Sequence, residues 1–235
     1  MRKLKEQPTL HEWNTSKEND RKNLSQVVPS EFLLNQSKFL LNQEAEISRL
    51  EEIATLDPLT GLLNRRAWDA EIKKTVNDFK RYEENNPTKQ YAVLALDIDF
   101  FKTINDRFGH DGGDVVLVKS SELLKKLFRS TDVIARFGGE EFFVLIKDGD
   151  IEKFKERLFA RETEDPGISF QIALKGQNGL EEISVSFSGG LALVIPTTEG
   201  AIEEARLLAD DMLYKAKKSG RNHIKFPDGG KDGTI

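Results

Sequence analysis

The 235-residue sequence predicts an α+β domain built on a mixed, mainly antiparallel sheet. Three observations predict it. YAVLALDI (91–98) is an unbroken apolar run ending in acid, the pattern of a central strand buried on both faces. VIARF and EFFVLI flank Gly138-Gly139 as the arms of one hairpin, and ISFQIAL and EEISVSFSGGLALVI flank GQNG as the arms of another. Between these strands lie stretches with helical periodicity, so helices flank the sheet. Hairpins argue against a doubly wound parallel arrangement.

In chain order, residues 1–29 are polar and aperiodic and are expected to lack order. Residues 30–56 carry a short repeat, FLLNQSK then FLLNQEA then EISRLEE, which puts Leu33, Leu40, Ile47 and Ala54 at one heptad position. This is an amphipathic helix, packed on its own domain or serving as a dimerising stalk. DPLTGLLNRR (57–66) breaks it and opens the main domain, residues 57–227. Trp68, Ile72, Val76 and Phe79 mark a helix over Ala67–Arg81. FKTINDRFG reads as a short helix and Asp114–Phe128 as an amphipathic one, with Asp114 suited to cap its start. Ile151–Arg161 is expected to be helical. Ala201–Lys218 is a helix closed by Gly220, HIKF is a last strand, and residues 228–235 form a flexible tail.

Composition removes several classes of function. Cysteine is absent, so disulfides, zinc–thiolate sites and Cys nucleophiles are excluded, and three His make a multi-His metal site improbable. A net charge of −5 argues against a nucleic acid polymer as partner while leaving room for a small phosphorylated ligand. No apolar run is long enough to span a bilayer and the N-terminus lacks the apolar centre of a secretory signal, so the cytoplasm is the expected compartment.

RFGGEEFFVLI (136–146) puts two glycines and two carboxylates inside a β-prone run. A hairpin turn explains the glycines and the exposure of Glu140 and Glu141. A second acidic cluster, LDIDFF (96–101), stands where the central strand ends, and sheet ligands gather at such ends. Asp97 and Asp99 flank Ile98 and are expected to face opposite ways, at most one joining the hairpin glutamates. Asp97, a hairpin Glu, a backbone carbonyl and phosphate oxygens would form a hard, oxygen-only site suited to Mg²⁺. DIDFFK is not an EF-hand loop, since Phe101 and Lys102 hold its fifth and sixth positions. FGHDGGD lacks the G-K-[ST] of a Walker loop, and His110-Asp111 lacks the further ligands of a hydrolase dyad.

GGEEF (138–142), DIDFFKTINDRFGHDGGD (97–114), DPLTGLLNRR (57–66) and ADDMLYKAKKSGRN (209–222) together resemble the signature blocks of the GGDEF family, the diguanylate cyclases, in the family's order from about Leu56 to Phe226. The resemblance implies a ferredoxin-like palm related to nucleotidyl cyclases, and condensation of two GTP into cyclic di-GMP with release of two pyrophosphates. It implies that Asp97, the Ile98 carbonyl and Glu140 hold Mg²⁺ (or Mn²⁺). Glu141 would hold a second ion or help deprotonate the attacking 3′-hydroxyl. Gly138 and Gly139 would let backbone approach phosphate. Asn105 and Asp114 match the guanine-reading pair; a carboxylate accepts from guanine N1–H and N2–H₂ and repels the N1 acceptor of adenine. Lys102, Lys217 and Arg221 are the phosphate candidates, the last two at i, i+4 and so expected on one helix face. His110, counted with the substrate-binding residues, Phe100 and Phe101 shape the pocket, and the two phenylalanines carry no chemistry.

R-S-T-D (129–132) lies five residues before the glycine pair, the spacing of the family's product-inhibition site, with Arg129 and Asp132 grasping guanine. Asp57, Leu59, Thr60, Asn64 and Arg65 belong to a turn that links the preceding helix to the palm. Cyclisation needs two GTP head to tail, hence a homodimer. Residues 1–30 are too short and polar for a sensor domain, so a regulatory partner at the N-terminal segment or stalk is expected. Gly189 stands where the family more often has an apolar residue. The rival reading is a non-catalytic cyclic di-GMP receptor, against which the intact hairpin speaks.

Overall fold

The computed structural model describes residues 34, 37–43, 46, 54–82, 89–147, 168–176 and 179–226. The chain divides into two compact units, Met1–Glu52 and Ile53–Ile235. In the first, residues 37–43 are helical and Phe39, Leu40 and Leu41 are exposed. Leu33 and Ile47, all of residues 1–29, the expected helix over Ile151–Arg161 and the tail 228–235 lie outside the described residues.

The second unit holds strands β1 (Leu63–Asn64), β2 (Tyr91–Ile98), β3 (Val133–Gly138), β4 (Glu141–Ile146), β5 (Ser169–Gly176), β6 (Gly179–Val194) and β7 (Ile224–Lys225). The helices are α1 (Arg65–Tyr82), α2 (Phe101–Leu127) and α3 (Glu199–Lys218). The sheet order is β1-β3-β4-β2-β6-β5, with β7 beside β6. The β3–β4, β2–β4, β2–β6 and β5–β6 pairs are antiparallel, and β1–β3 and β6–β7 are parallel. The sheet is therefore mixed and mainly antiparallel, and the fold is α+β.

All of β2 is buried because helices cover both faces. On one face Val93, Ala95, Phe143 and Leu145 pack against Trp68, Ile72, Val76 and Phe79 of α1 and Ile202, Ala205 and Leu213 of α3. The other face sets Leu94, Leu96, Phe142 and Val144 against Ile104, Val116, Leu117 and Leu124 of α2. Period-two alternation along β2 feeds both cores, which is why its sequence is apolar from Tyr91 to Leu96, before Asp97. Gly190 allows α3 to lie directly on β6: a Cβ there would strike the Ala209 carbonyl and the Leu213 amide. A Cβ on Gly189 would meet Leu96 and Ile224, so the two larger neighbours fill the space its side chain vacates.

Three helices differ at their boundaries from the sequence expectation, α1 by opening at Arg65 and not at Ala67. The two helices expected between 101 and 128 run as one element broken only at Gly109 (φ 74°, ψ 174°). Helix resumes at His110, so Asp114 sits inside it and does not cap its start. Helix α3 begins two residues early, at Glu199, because Thr198 caps it by accepting from the Ala201 amide.

Candidate active site

The centre of the site is set by strand register. β2 and β4 pair so that Asp97 lies across from Glu141, and the Ile98 amide donates to the Glu140 carbonyl at 3.3 Å. The acidic end of the central strand and the hairpin apex are thus adjacent. Asp97 is only 5% exposed, whereas Glu140 is half-buried and Glu141 exposed. Lys217 Nζ stands 2.8 Å from Asp97 Oδ2. Burial pushes the Asp97 carboxyl up to about 6; Lys217 pulls it down, and Glu140 and Glu141 push it up again. One ammonium does not balance three carboxylates, and burial makes the deficit costly. The donors are hard oxygens and the deficit is positive charge, so the residues fit a divalent cation such as Mg²⁺. Among the described residues no group of three His, Cys, Asp or Glu converges into a finished cage.

The hairpin is held from below. Arg136 donates through Nε to the Gly139 carbonyl (2.9 Å) and through one terminal nitrogen to both Asp57 oxygens (2.9 and 3.0 Å). Asp57 also accepts from the Thr60 amide and hydroxyl, closing the turn that begins the domain. Burial raises its carboxyl, yet the Thr60 and Arg136 contacts win and hold it below the usual carboxylate range. Asn64 caps α1 through the Ala67 amide and donates to the Ala54 and Leu56 carbonyls, tying the incoming chain to the same turn. Phe137 packs on Trp68 (5.7 Å) and Phe143 (4.4 Å), with the Arg65 guanidinium 5.5 Å from its ring. At the tip Gly138 has φ 151° and Gly139 φ 51°. Gly138 is still paired, with Glu141, so the two-residue turn is Gly139-Glu140 and not the glycine pair, and a bulge at Phe137 shifts the register.

Next to the carboxylates, α2 begins with an open end. Its N-cap, Phe100, has a left-handed backbone (φ 56°) and makes no side-chain cap bond. The first amides of α2 therefore have no side-chain cap, the arrangement that receives anions. Lys102 is exposed on this first turn, and the Arg221 guanidinium lies 4.7 Å from the centre of the Phe100 ring. Lys217 and Arg221 do not share a helix face as i, i+4 spacing suggests. Helix α3 stops at Lys218, Gly220 turns the chain (φ 123°), and Arg221 itself is left-handed (φ 65°). The two cations reach the site separately, Lys217 to Asp97 and Arg221 to the start of α2.

Asp99 does part from Asp97, but strand alternation is not the reason, since residues two apart in a strand share a face. The strand ends at Ile98 and the chain turns, which sends Asp99 to Ser186 and Ser188 of β6. Asn105 lies against Gly113, where a Cβ would collide with its Oδ1, and Gly112 similarly makes room for Phe108. The glycines of HDGGD thus leave room for Asn105 and Phe108 and bring Asn105 beside the segment carrying Asp114. Asp114 and His110 are both exposed.

Arg129 and Asp132 line a separate cleft of about 630 Å³ with Lys125, Lys147 and Leu62. Asp132 Oδ2 accepts from the Arg129 amide (2.9 Å) and Oδ1 from the Lys147 amide (3.1 Å). The carboxylate thus shapes the turn as well as facing the cleft.

Helices on both faces of a mixed sheet, with acids at the end of its central strand, define the palm-like fold of nucleotidyl cyclases. The chain belongs to the GGDEF domain family: the family model described as "Diguanylate cyclase, GGDEF domain" matches residues 54–223. It is 39% identical over 180 residues to the uncharacterized protein YhcK of Bacillus subtilis, covering 74% of this chain and 46% of that one. It is 35% identical over 177 residues to the probable diguanylate cyclase DgcC of Escherichia coli, covering 75% and 44%. The chain thus spans under half the length of these relatives. Among solved structures it resembles the diguanylate cyclase SiaD of Pseudomonas aeruginosa, crystallised with its activator SiaC. That match has a TM-score of 0.59 and 28% identity over 92% of this chain and 78% of that one.

Sequence reasoning missed the bonds of Asp99 to Ser186, Ser188 and Asn222, the open start of α2 and the Asp57–Arg136 bridge. D-x-x-T is a legible signal for a side-chain-capped turn at Asp57; nothing local marks the other two.

Proposed function

We propose that the chain is a diguanylate cyclase, condensing two GTP into cyclic di-GMP and releasing two pyrophosphates. The observation that carries this is the register that sets buried Asp97 across from Glu141 beside the uncapped start of α2. Asp97, the Ile98 carbonyl and Glu140 would hold Mg²⁺, or Mn²⁺ in its place. When bound, the ion lowers the charge on the α-phosphate and makes the nucleotide 3′-hydroxyl a better nucleophile.

The chain's own groups do the rest. The first amides of α2, Lys102 and Arg221 hold the terminal phosphates, and Lys217 orients the Asp97 carboxylate. Gly138 and Gly139 let the hairpin backbone lie close to phosphate. Asn105 and Asp114 accept from the guanine edge, and exposed His110 borders the base. Glu141, the exposed carboxylate of the pair, takes the proton as the 3′-oxygen attacks the α-phosphorus of the other nucleotide and the bond to pyrophosphate breaks. The same step in the opposite direction closes the ring.

Each protomer carries one such site, so two protomers must face each other across a two-fold axis, as a homodimer. Specific turnover is then expected to fall as protein is diluted below its dimerisation constant; turnover per protomer that is flat across a thousandfold dilution would contradict it. SiaD's complex with an activator supports the reading that a regulatory partner exists, and the N-terminal segment is proposed as its contact. Among the described residues no helix is long and apolar enough to cross a membrane; a GTP substrate supports the reading of a cytoplasmic domain.

The test is purified protein with Mg²⁺ and either GTP or ATP, following pyrophosphate release and product mass. GTP should give cyclic di-GMP with two pyrophosphates per product, and ATP should give none. Tight dinucleotide binding without turnover would instead assign the chain as a receptor. Product inhibition is proposed at the Arg129–Asp132 cleft. Arg129→Ala should keep progress curves linear to high conversion, where the parent slows; identical curvature in both would remove the site.

A further inference from the structure

We infer that Asp99 is a positioning residue for the triphosphate clamp: a buried carboxylate that fixes Arg221 against the open start of α2 and does not bind the metal. The inference rests on the reading of Arg221 as a phosphate-binding side chain.

Asp99 is 4% exposed, and three donors already occupy it. Oδ1 accepts from Ser188 Oγ (2.6 Å), and Oδ2 accepts from Ser186 Oγ (2.7 Å) and the Asn222 amide (3.0 Å). Its own amide donates to the Ser186 carbonyl at 2.9 Å. The carboxylate therefore pins the loop after α3 to the end of β2, across 123 residues of sequence.

That loop needs pinning. Gly220, Arg221 and Asn222 have φ of 123°, 65° and 52°, so two consecutive non-glycine residues are left-handed, a conformation L-residues resist. From inside, the Arg221 amide donates to the Ala216 carbonyl, and His223 bonds the Arg221 carbonyl through Nδ1 and Ser219 Oγ through Nε2. Only the Asn222–Asp99 bond among these reaches the central strand. Phe100, which follows Asp99, is also left-handed and carries its exposed ring beneath the Arg221 guanidinium. Asp99 is one residue from each partner of that stack, so a single carboxylate sets both. With three donors on the carboxylate, little acceptor capacity is left for a cation.

The experiment compares Asp99→Asn, Arg221→Ala and the double variant in the full chain. Calorimetry reads binding of a non-hydrolysable GTP analogue with Mg²⁺, and initial rates give kcat, KM and the Mg²⁺ midpoint. Asn keeps one neutral acceptor oxygen in place of two charged ones, so it cannot accept from the Asn222 amide and both serine hydroxyls with the strength of the carboxylate. Asp99→Asn should weaken analogue binding and raise KM about tenfold, with kcat changed less than about threefold and the Mg²⁺ midpoint unmoved. The double variant should bind no worse than Arg221→Ala alone, because both changes remove one interaction. Ser186→Ala with Ser188→Ala, a milder change should Asp99→Asn fail to fold, should move KM in the same direction by about threefold. A shifted Mg²⁺ midpoint with KM intact would assign Asp99 to the metal, and multiplicative losses in the double variant would separate it from Arg221; either overturns the inference. If Arg221→Ala binds the analogue as the parent does, the clamp reading itself falls.

Discussion

Glu141→Gln removes turnover while leaving dinucleotide binding intact: pyrophosphate release falls on the order of 10³-fold, and the affinity for cyclic di-GMP changes less than about twofold. The substitution keeps shape and hydrogen-bonding length and deletes only the charge. The hairpin does not depend on that charge. Its tip is set by Gly138 and Gly139, its base by Arg136 bonding Asp57 and the Gly139 carbonyl, and its flank by Phe137 on Trp68. Glu141 is the exposed member of the acidic group and sits across from Asp97, where a proton leaving a 3′-oxygen would be received. The product cleft lies apart, lined by Arg129, Asp132 and Lys147. Rates and equilibrium dialysis with labelled cyclic di-GMP check both halves. Retained turnover would take the proton-transfer role away from Glu141.

Asp97→Asn separates stability from function more sharply. The Asp97 carboxyl is pushed from 3.8 up to about 6, so the folded chain takes its proton more readily than the unfolded chain does. The sign follows: as pH falls from 7 towards 4, protonation of Asp97 adds stability to the metal-free protein, and above about 6 the ionised form is a full cost. That cost is about 3 kcal/mol at neutral pH, and Lys217 losing its partner returns part of it. Asp97→Asn should therefore raise the metal-free Tm at pH 7 by about 2–6 °C, with a smaller gain at pH 5. Turnover at pH 7 should fall at least about 10³-fold, because the amide cannot supply charge to the cation. In the parent, Mg²⁺-dependent binding of GTP should weaken as pH drops through about 6, since the proton and the cation compete for the same oxygen. Scanning calorimetry at the two pH values, with and without Mg²⁺, reads each sign. A variant less stable than its parent at pH 7 would mean that Asp97 is a satisfied structural ion pair with Lys217.

These outcomes rest partly on features legible in the sequence and partly on ones that are not. The central strand and both hairpins were legible because β2 is apolar at every position except Asp97 and glycines punctuate the arms around it. Helix α1 was legible from Trp68, Ile72, Val76 and Phe79, all of which pack on the sheet. Extrapolating helical spacing beyond its end misplaced Arg221: Ser219-Gly220 stops α3, and three left-handed residues re-aim the chain. Asp114 looked like a helix start because glycines precede it, yet those glycines lie within helix and serve close packing against Asn105 and Phe108. The Asp57–Arg136 and Asp99–Asn222 bonds span 79 and 123 residues. No local pattern encodes such pairs, because only tertiary register brings them together. Nor does any propensity signal the left-handed Phe100, whose backbone opens the start of α2.

The central claim is that the end of β2 and the hairpin apex hold a divalent cation against a nucleoside triphosphate. Electron paramagnetic resonance of Mn²⁺ titrated into the protein with a non-hydrolysable GTP analogue tests it most directly, with Asp97→Asn alongside. The account predicts that the analogue draws Mn²⁺ into a protein-bound signal with the parent and that the Asp97→Asn chain leaves the spectrum of the free Mn²⁺–nucleotide complex. Equal Mn²⁺ capture by both chains would contradict it.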